Sequence, residues 1–258
     1  MPFAPAAKDP YLWQEFTHSV HRLEQLASIQ SSGILHGPNG VGKSYLVNHF
    51  ITSLSGKKYK TITLSHSSLT GSSLLRRLNT ELGQALRQRR DDSIVQIRKA
   101  WEELEPVWPI LIMEEAQNLS STALEEIRLL CCYRNDTSPP FSLILVGDEN
   151  LMPRLLMGIN RSLLSRLGFC INLKPFAESQ SREYIDCRLR EVAIINCPFE
   201  PHALNLLIQS AQGIPRTINH LAQRSIERAI SENTSSISAD HLQFAIDQMP
   251  WLTQLTPK

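Results

Sequence analysis

The sequence has no long apolar run. No stretch of about 18 apolar residues occurs, so no membrane-spanning helix is expected. Met1 to Asp9 has no basic segment followed by an apolar core, so a secretory leader is not expected either. Cysteine is sparse and unpatterned. Cys131 and Cys132 are adjacent, Cys170, Cys187 and Cys197 are scattered, and no CxxC pair exists. That excludes a zinc-ribbon pattern and a disulfide framework, and it points to reduced thiols in a cytoplasm. A charge excess is missing too, since 26 Lys and Arg face 25 Asp and Glu for a net +1. The chain is no polycation, and any nucleic-acid contact must come from a local patch. Internal repeats and low-complexity segments are absent. What remains is an ordinary 42% hydrophobic content in 258 residues, enough for one large domain or for one domain plus a small one.

Apolar runs alternate with helical patterns through the first two thirds of the chain. A helix is expected from about Tyr11 to Ile29, broken by Ser31-Ser32-Gly33. Gly33 to His36 reads as a buried strand, Gly37 to Gly42 as a loop, and Lys43 to Leu54 as a helix. Lys60 to Leu64 is β-branched and reads as a second strand. A Ser/Thr-rich loop (Ser65 to Ser73) and helices to about Glu105 follow. Further strands are expected at Pro109 to Met113, Phe141 to Val146 and Phe169 to Leu173. Between them, Ser120 to Tyr133 reads as helix and Leu151 to Leu167 as helix in part. This alternation predicts an α/β fold with a parallel five-stranded sheet covered by helices on both faces. After Pro175 only helices are expected: about Ser179 to Val192, Glu200 to Gln212, Pro215 to Asn233 and Ser238 to Gln248. The boundaries are therefore 1–175 for a nucleotide-binding domain and 176–258 for a small all-α lid with a short tail.

Gly37-Pro38-Asn39-Gly40-Val41-Gly42-Lys43-Ser44 fits GxxxxGK[ST] without a mismatch, between a strand and a helix. Glycines let backbone N–H groups turn inward around phosphate oxygens, and the start of the following helix adds positive potential. Lys43 would reach the β- and γ-phosphates of ATP, and Ser44 would offer its hydroxyl to Mg²⁺. The strand Pro109 to Met113 ends in Glu114-Glu115, which places two carboxylates beside that loop. Glu115 suits the general base that polarises water, and Glu114 suits the Mg²⁺ site. Asp is usual at the Glu114 position. Glu is one methylene longer, which alters metal geometry and points to slow hydrolysis.

With these motifs in place the chain resembles ExeA-type AAA+ ATPases over roughly residues 3–250. Glu114-Glu115-Ala116-Gln117-Asn118-Leu119 is similar to their DEAQNL, and Leu124-Glu125-Glu126-Ile127-Arg128-Leu129-Leu130 to their LEELRLL. Leu145-Val146-Gly147-Asp148 resembles their LVGQ, and Gly213-Ile214-Pro215-Arg216-Thr217-Ile218-Asn219 their GIPRxIN. Asp9-Pro10 and His21-Arg22 also have counterparts. The resemblance implies a first sensor at Asp148, where the family commonly has Gln; a plain turn aspartate is the alternative. It implies a second sensor at Arg216, opening a lid helix. Arg161 and Arg166 match arginines of the family segment LRQLRQRI. Either one could be an arginine finger acting in a neighbouring subunit, or a surface arginine paired with an acid. A finger in trans implies a homo-oligomer, a ring or a helical filament. His21 and Arg22 could approach the adenine or lie on plain helix surface.

ExeA-type sequences occur in secretion ATPases and in stand-alone ATPases similar to the TnsC, TniB and IstB helpers of DNA transposons, including CRISPR-associated ones. The chain stops at Lys258 just after the lid, which favours the transposition setting. There the expected partners are double-stranded DNA, a transposase and target-selection adaptors, with no membrane. Residues 76–99 hold Arg76, Arg77, Arg87, Arg89, Arg90, Arg98 and Lys99 against Glu81, Asp91 and Asp92. Thr70, Arg76 and Arg77 with Lys57, Lys58 and Lys60 form a candidate backbone-contacting surface, or a solvated face.

Overall fold

The computed structural model describes residues 2–3, 13–65, 69–85, 89–132 and 140–254. Asp9, Pro10, Tyr11, Arg87, Tyr133 and the tail from Leu255 onward lie outside the described residues. By compactness the chain divides into two units. One comprises residues 15–37 and 43–173, the other 1–14, 38–42 and 174–258.

The larger unit holds five strands: β1 (Gly33–His36), β2 (Tyr59–Leu64), β3 (Trp108–Met113), β4 (Ser142–Gly147) and β5 (Phe169–Asn172). All pairings are parallel, in the order β2-β3-β4-β1-β5. Residues 109–113 and 142–147 are buried throughout, as expected of inner parallel strands covered on both faces. The edge strand β2 is buried at only two of six positions, Ile62 and Leu64.

Parallel neighbours need crossovers, and helices supply them. Helices α1 (Gln14–Ser28), α2 (Lys43–Ser53), α3 (Gly71–Glu81), α4 (Arg90–Glu102), α5 (Ser121–Cys131), α6 (Leu151–Leu155) and α7 (Arg161–Leu164) pass between the strands or flank them. Helix starts follow local chemistry. The Thr70 side chain accepts the Ser73 N–H at 3.4 Å, and the Ser73 hydroxyl accepts the Thr70 N–H at 2.7 Å, a reciprocal cap on α3. Ser120 caps α5 by accepting the Ala123 N–H at 3.0 Å. Leu74, Leu75 and Leu78 of α3, Ile97 and Trp101 of α4, and Ile127 and Leu130 of α5 meet β3 and β4 in one core. The span expected to be partly helical after β4 resolves into α6, a 3₁₀ turn (Gly158–Asn160) and α7.

The other unit is helical: α8 (Glu178–Arg190), α9 (Pro201–Ala211), α10 (Pro215–Ser231), α11 (Ala239–Asp247) and α12 (Pro250–Gln254). Proline opens α9 and α10 at the first turn, where a missing N–H costs nothing. Leu207, Ile218, Leu221, Ala222, Leu242 and Ala245 are fully buried. Gly213 lies in left-handed backbone (φ 71°), and a β-carbon there would sit 2.1 Å from the Phe176 carbonyl oxygen. Only glycine permits that contact, across which the Phe176 N–H donates to the Gly213 carbonyl at 2.8 Å. Among the described residues no helix is long and apolar enough to cross a membrane.

Phe141 enters β4 fully buried, its ring 4.3 Å from that of Trp101. Phe141→Ala leaves an aromatic-sized hole and is expected to destabilise the larger unit by about 3–5 kcal/mol, read from urea unfolding midpoints.

Candidate functional site

Register sets the geometry of the candidate site. Met113 pairs with Leu145, Leu35 with Val146, and His36 with Gly147. Glu114 therefore leaves the sheet at the level of Val146 and Leu35. Gly37, Glu115 and Asp148 emerge at the same carboxyl edge, where parallel α/β sheets place their ligands. The Glu114 N–H still donates to the Leu64 carbonyl at 2.9 Å, which extends the β2–β3 ladder by one bond.

In the larger unit Gly37 has φ 156°, and a β-carbon there would lie 2.2 Å from the Leu173 carbonyl oxygen. The Leu173 N–H donates to the His36 carbonyl at 2.8 Å, so the chain leaving β5 is drawn onto the start of the loop. Lys43 opens α2, is buried, and donates through Nζ to the Gly37 carbonyl at 2.8 Å. Ser44 beside it is exposed. In the smaller unit, Gly40 and Gly42 take φ of 85° and 109°. There the Arg216 N–H donates to the Gly40 carbonyl at 3.3 Å, and a β-carbon on Gly40 would lie 2.9 Å from Arg216 Cβ. Pro38, Asn39 and Val41 complete the loop, and Val41 is fully buried. In the larger unit a buried lysine, an exposed hydroxyl and strand-end carboxylates form a donor set that suits a magnesium nucleotide.

Glu114 is half-buried and Glu115 exposed. Glu115 takes left-handed backbone (φ 52°, ψ 37°) and starts a 3₁₀ turn, Ala116–Asn118. Gln117 Nε2 donates to Glu115 Oε2 at 2.8 Å, while Gln117 Oε1 accepts the Asp148 N–H at 3.2 Å. Arg154 of α6 donates to the carbonyls of Gln117 and Leu119. The motif comparison named Gln117 without a role, and nothing in the sequence marked Arg154. The Asp148 carboxylate accepts from the Asn150 N–H at 2.8 Å and from Asn150 Nδ2 at 3.2 Å, so it builds the turn into α6.

The remaining candidates lie apart. Arg166 donates to the Ser162 carbonyl at 2.6 Å and sits close enough to the end of α5 for its charge to reach Cys131, whose thiol burial pushes up to about 12. Arg161 is exposed at the start of α7. Arg22 donates to the Cys170 carbonyl at 3.0 Å and lies over the Phe169 ring, which ties α1 to β5; His21 is exposed. Lys57, Lys58 and Lys60 are exposed where the chain enters β2, whereas Thr70 caps α3 beyond the strand's other end. Arg76 is exposed, Arg77 pairs with Glu81 at 2.7 Å, and Arg90 forks onto Glu126 at 2.6 and 2.9 Å. The basic residues thus form separate groups along β2 and α3, and part of their charge is spent on intrachain pairs.

The AAA domain family matches residues 27–155, half of the chain, and the chain belongs to that family. That membership carries the AAA+ nucleotide-binding fold of P-loop ATPases. It is 28% identical over 128 residues to the general secretion pathway protein A of Aeromonas hydrophila, covering 50% of this chain and 23% of that one. It is 30% identical over 128 residues to the Mu-like prophage FluMu DNA transposition protein B of Haemophilus influenzae, covering 50% and 42%. The chain therefore aligns with less than half the length of either relative. Its fold matches the Aeropyrum pernix ORC2 protein, solved as ADPNP-ADP complexes, with a TM-score of 0.68 at 17% identity, covering 100% of this chain and 72% of that one.

His36, beside Lys43, is held below the ordinary imidazole pKa by burial first and by the Lys43 charge second, with Glu149 opposing. The folded state then binds the proton less readily than the unfolded chain. Stability from this group is full above about pH 6.5 and falls as pH drops below it. Urea unfolding between about pH 5.5 and 7.5 is expected to show that slope, reduced in His36→Asn.

Proposed function

We propose that the chain is an ATP-driven regulator of DNA transposition that assembles as an oligomer on double-stranded DNA. The observation that carries this reading is its 30% identity, over 128 residues, to a DNA transposition protein B. In this reading the amides of Gly40, Val41 and Gly42 with Lys43 hold the phosphates, and Arg216 meets the same loop through its bond to Gly40. Ser44 and Glu114 would hold Mg²⁺, which when bound neutralises phosphate charge and aligns the β- and γ-oxygens. Glu115 orients the attacking water and takes its proton as the new oxygen–phosphorus bond forms. The bond to the bridging oxygen breaks and ADP leaves. Asp148 shapes the turn facing the γ-phosphate rather than offering a free carboxylate.

Arg161 is the better finger candidate, because Arg166 is bonded to its own helix and Arg161 is exposed. A finger reaching a neighbour's phosphates makes ATP the agent of assembly. Lys57, Lys58, Lys60, Thr70, Arg76 and Arg77 would meet DNA phosphates, sequence-independently and salt-sensitively. The assembly would mark a target and recruit a transposase, and hydrolysis would dismantle it. A second reading, a cytoplasmic ATPase module for secretion or envelope assembly, is favoured by the 28% identity to general secretion pathway protein A.

DNA binding is measured with ATP, with ADP and in Lys43→Ala. Tight binding is expected with ATP alone, and equal binding in all three sinks ATP gating. Glu115→Gln is expected to lower hydrolysis by about 10²-fold or more while keeping ATP-dependent DNA binding. ATPase activity without DNA affinity at low salt supports the secretion reading instead.

A further inference from the structure

Glu115 would be a poor base if its carboxylate wandered, since it is exposed on a turn that its own left-handed backbone creates. Gln117 removes that freedom. Its primary amide uses both ends: Nε2 donates to Glu115 Oε2 at 2.8 Å, and Oε1 accepts the Asp148 N–H at 3.2 Å. The amide can face only one way. Reversed, its NH₂ would meet an N–H and its oxygen a carboxylate.

Each anchor of the bridge is itself fixed. Arg154 holds the backbone on both sides of Asn118 through the carbonyls of Gln117 and Leu119, and the Arg154 carbonyl accepts from Asn160 Nδ2 at 2.9 Å. The Asp148 N–H is presented by the turn that Asn150 closes onto the Asp148 carboxylate. Gly147 leaves the space the amide occupies, because a β-carbon there would lie 2.7 Å from Gln117 Oε1. Two strand ends, β3 and β4, are thereby joined through one side chain to the carboxylate of Glu115.

We infer that Gln117 is the positioning residue for hydrolysis: it fixes the Glu115 carboxylate relative to the tip of β4. This rests on the reading of Glu115 as general base. Gln117 touches neither water nor phosphate in this role and acts through Glu115 alone.

The test is a double-mutant comparison on the full chain with ATP and Mg²⁺. Gln117→Met keeps the length and volume of the side chain, so packing is retained while both bonds are lost. Its kcat is expected to fall about 10- to 100-fold, the cost of letting a catalytic group drift by an ångström or so. ATP affinity, read with a fluorescent analogue, is expected to stay within about twofold. In the Glu115→Gln background, adding Gln117→Met is expected to change kcat no further, because the group it positions is gone. A structural role would instead lower affinity and stability and add to the Glu115→Gln loss. Gln117→Met turning over at the wild-type rate, with Glu115→Gln inert, overturns the inference alone. Glu115→Gln turning over at the wild-type rate overturns the general-base reading and with it the route through Glu115.

Discussion

Parallel pairing of β3, β4 and β1 in one register is the constraint on which the site depends. A side-chain period of two means that a one-residue slip would turn each strand's residues to the opposite face. It would also shift the level at which the strand ends. With Met113 opposite Leu145 and His36 opposite Gly147, a phosphate loop, two carboxylates and a polar turn leave the sheet together. The register is held from the buried side. Ile110, Leu111, Ile112, Leu143, Ile144 and Leu145 are essentially inaccessible, so any slip would open packed contacts on both faces.

Much of this was legible because the buried strands are pure apolar runs. Gly33 to His36 matched its strand to the residue, and Pro109 to Met113 missed only Trp108, whose indole bonds the Ser142 hydroxyl at 2.9 Å. Four helices of the last third were legible from proline starts and helical spacing, within about two residues at their ends, whereas α12 falls in what was read as a tail. The nucleotide-binding fold followed from the glycine loop between a strand and a helix and from the acid-ended strand, and the family from the resemblance of Glu114 to Leu119, Leu124 to Leu130 and Gly213 to Asn219 to ExeA-type segments.

What was not legible is what hydrogen bonds decide. Side chains two apart do not meet on a helix, and on a strand they share a face but stand roughly 7 Å apart. Gln117 meets Glu115 only because Glu115 turns the backbone left-handed, and no residue type announces that for a glutamate. Arg154 reaches back across 37 residues to a carbonyl, and backbone acceptors carry no sequence signal. The pairings inside the basic stretch from 76 to 99 were hidden for the same reason. Counting its charges gave a patch, but Arg77 spends its charge on Glu81 and Arg90 on Glu126.

The two curated relatives bear names from different processes, transposition and secretion, and each aligns over the same length of 128 residues, half of this chain. That fits a division of labour within the chain. The core of the larger unit is built from buried strands whose packing leaves little room for variation. Lys57, Lys58 and Lys60 at the mouth of β2, Arg76 on α3 and Arg161 on α7 lie outside that packing and are all exposed. Changing such residues perturbs few buried contacts, so this surface can vary at little cost in stability. The segment from Asp148 to Arg161 is a short connection between that packing and the surface. It closes its own turn at Asn150, holds the Glu115 turn through Arg154, and presents Arg161 to solvent within 14 residues of chain.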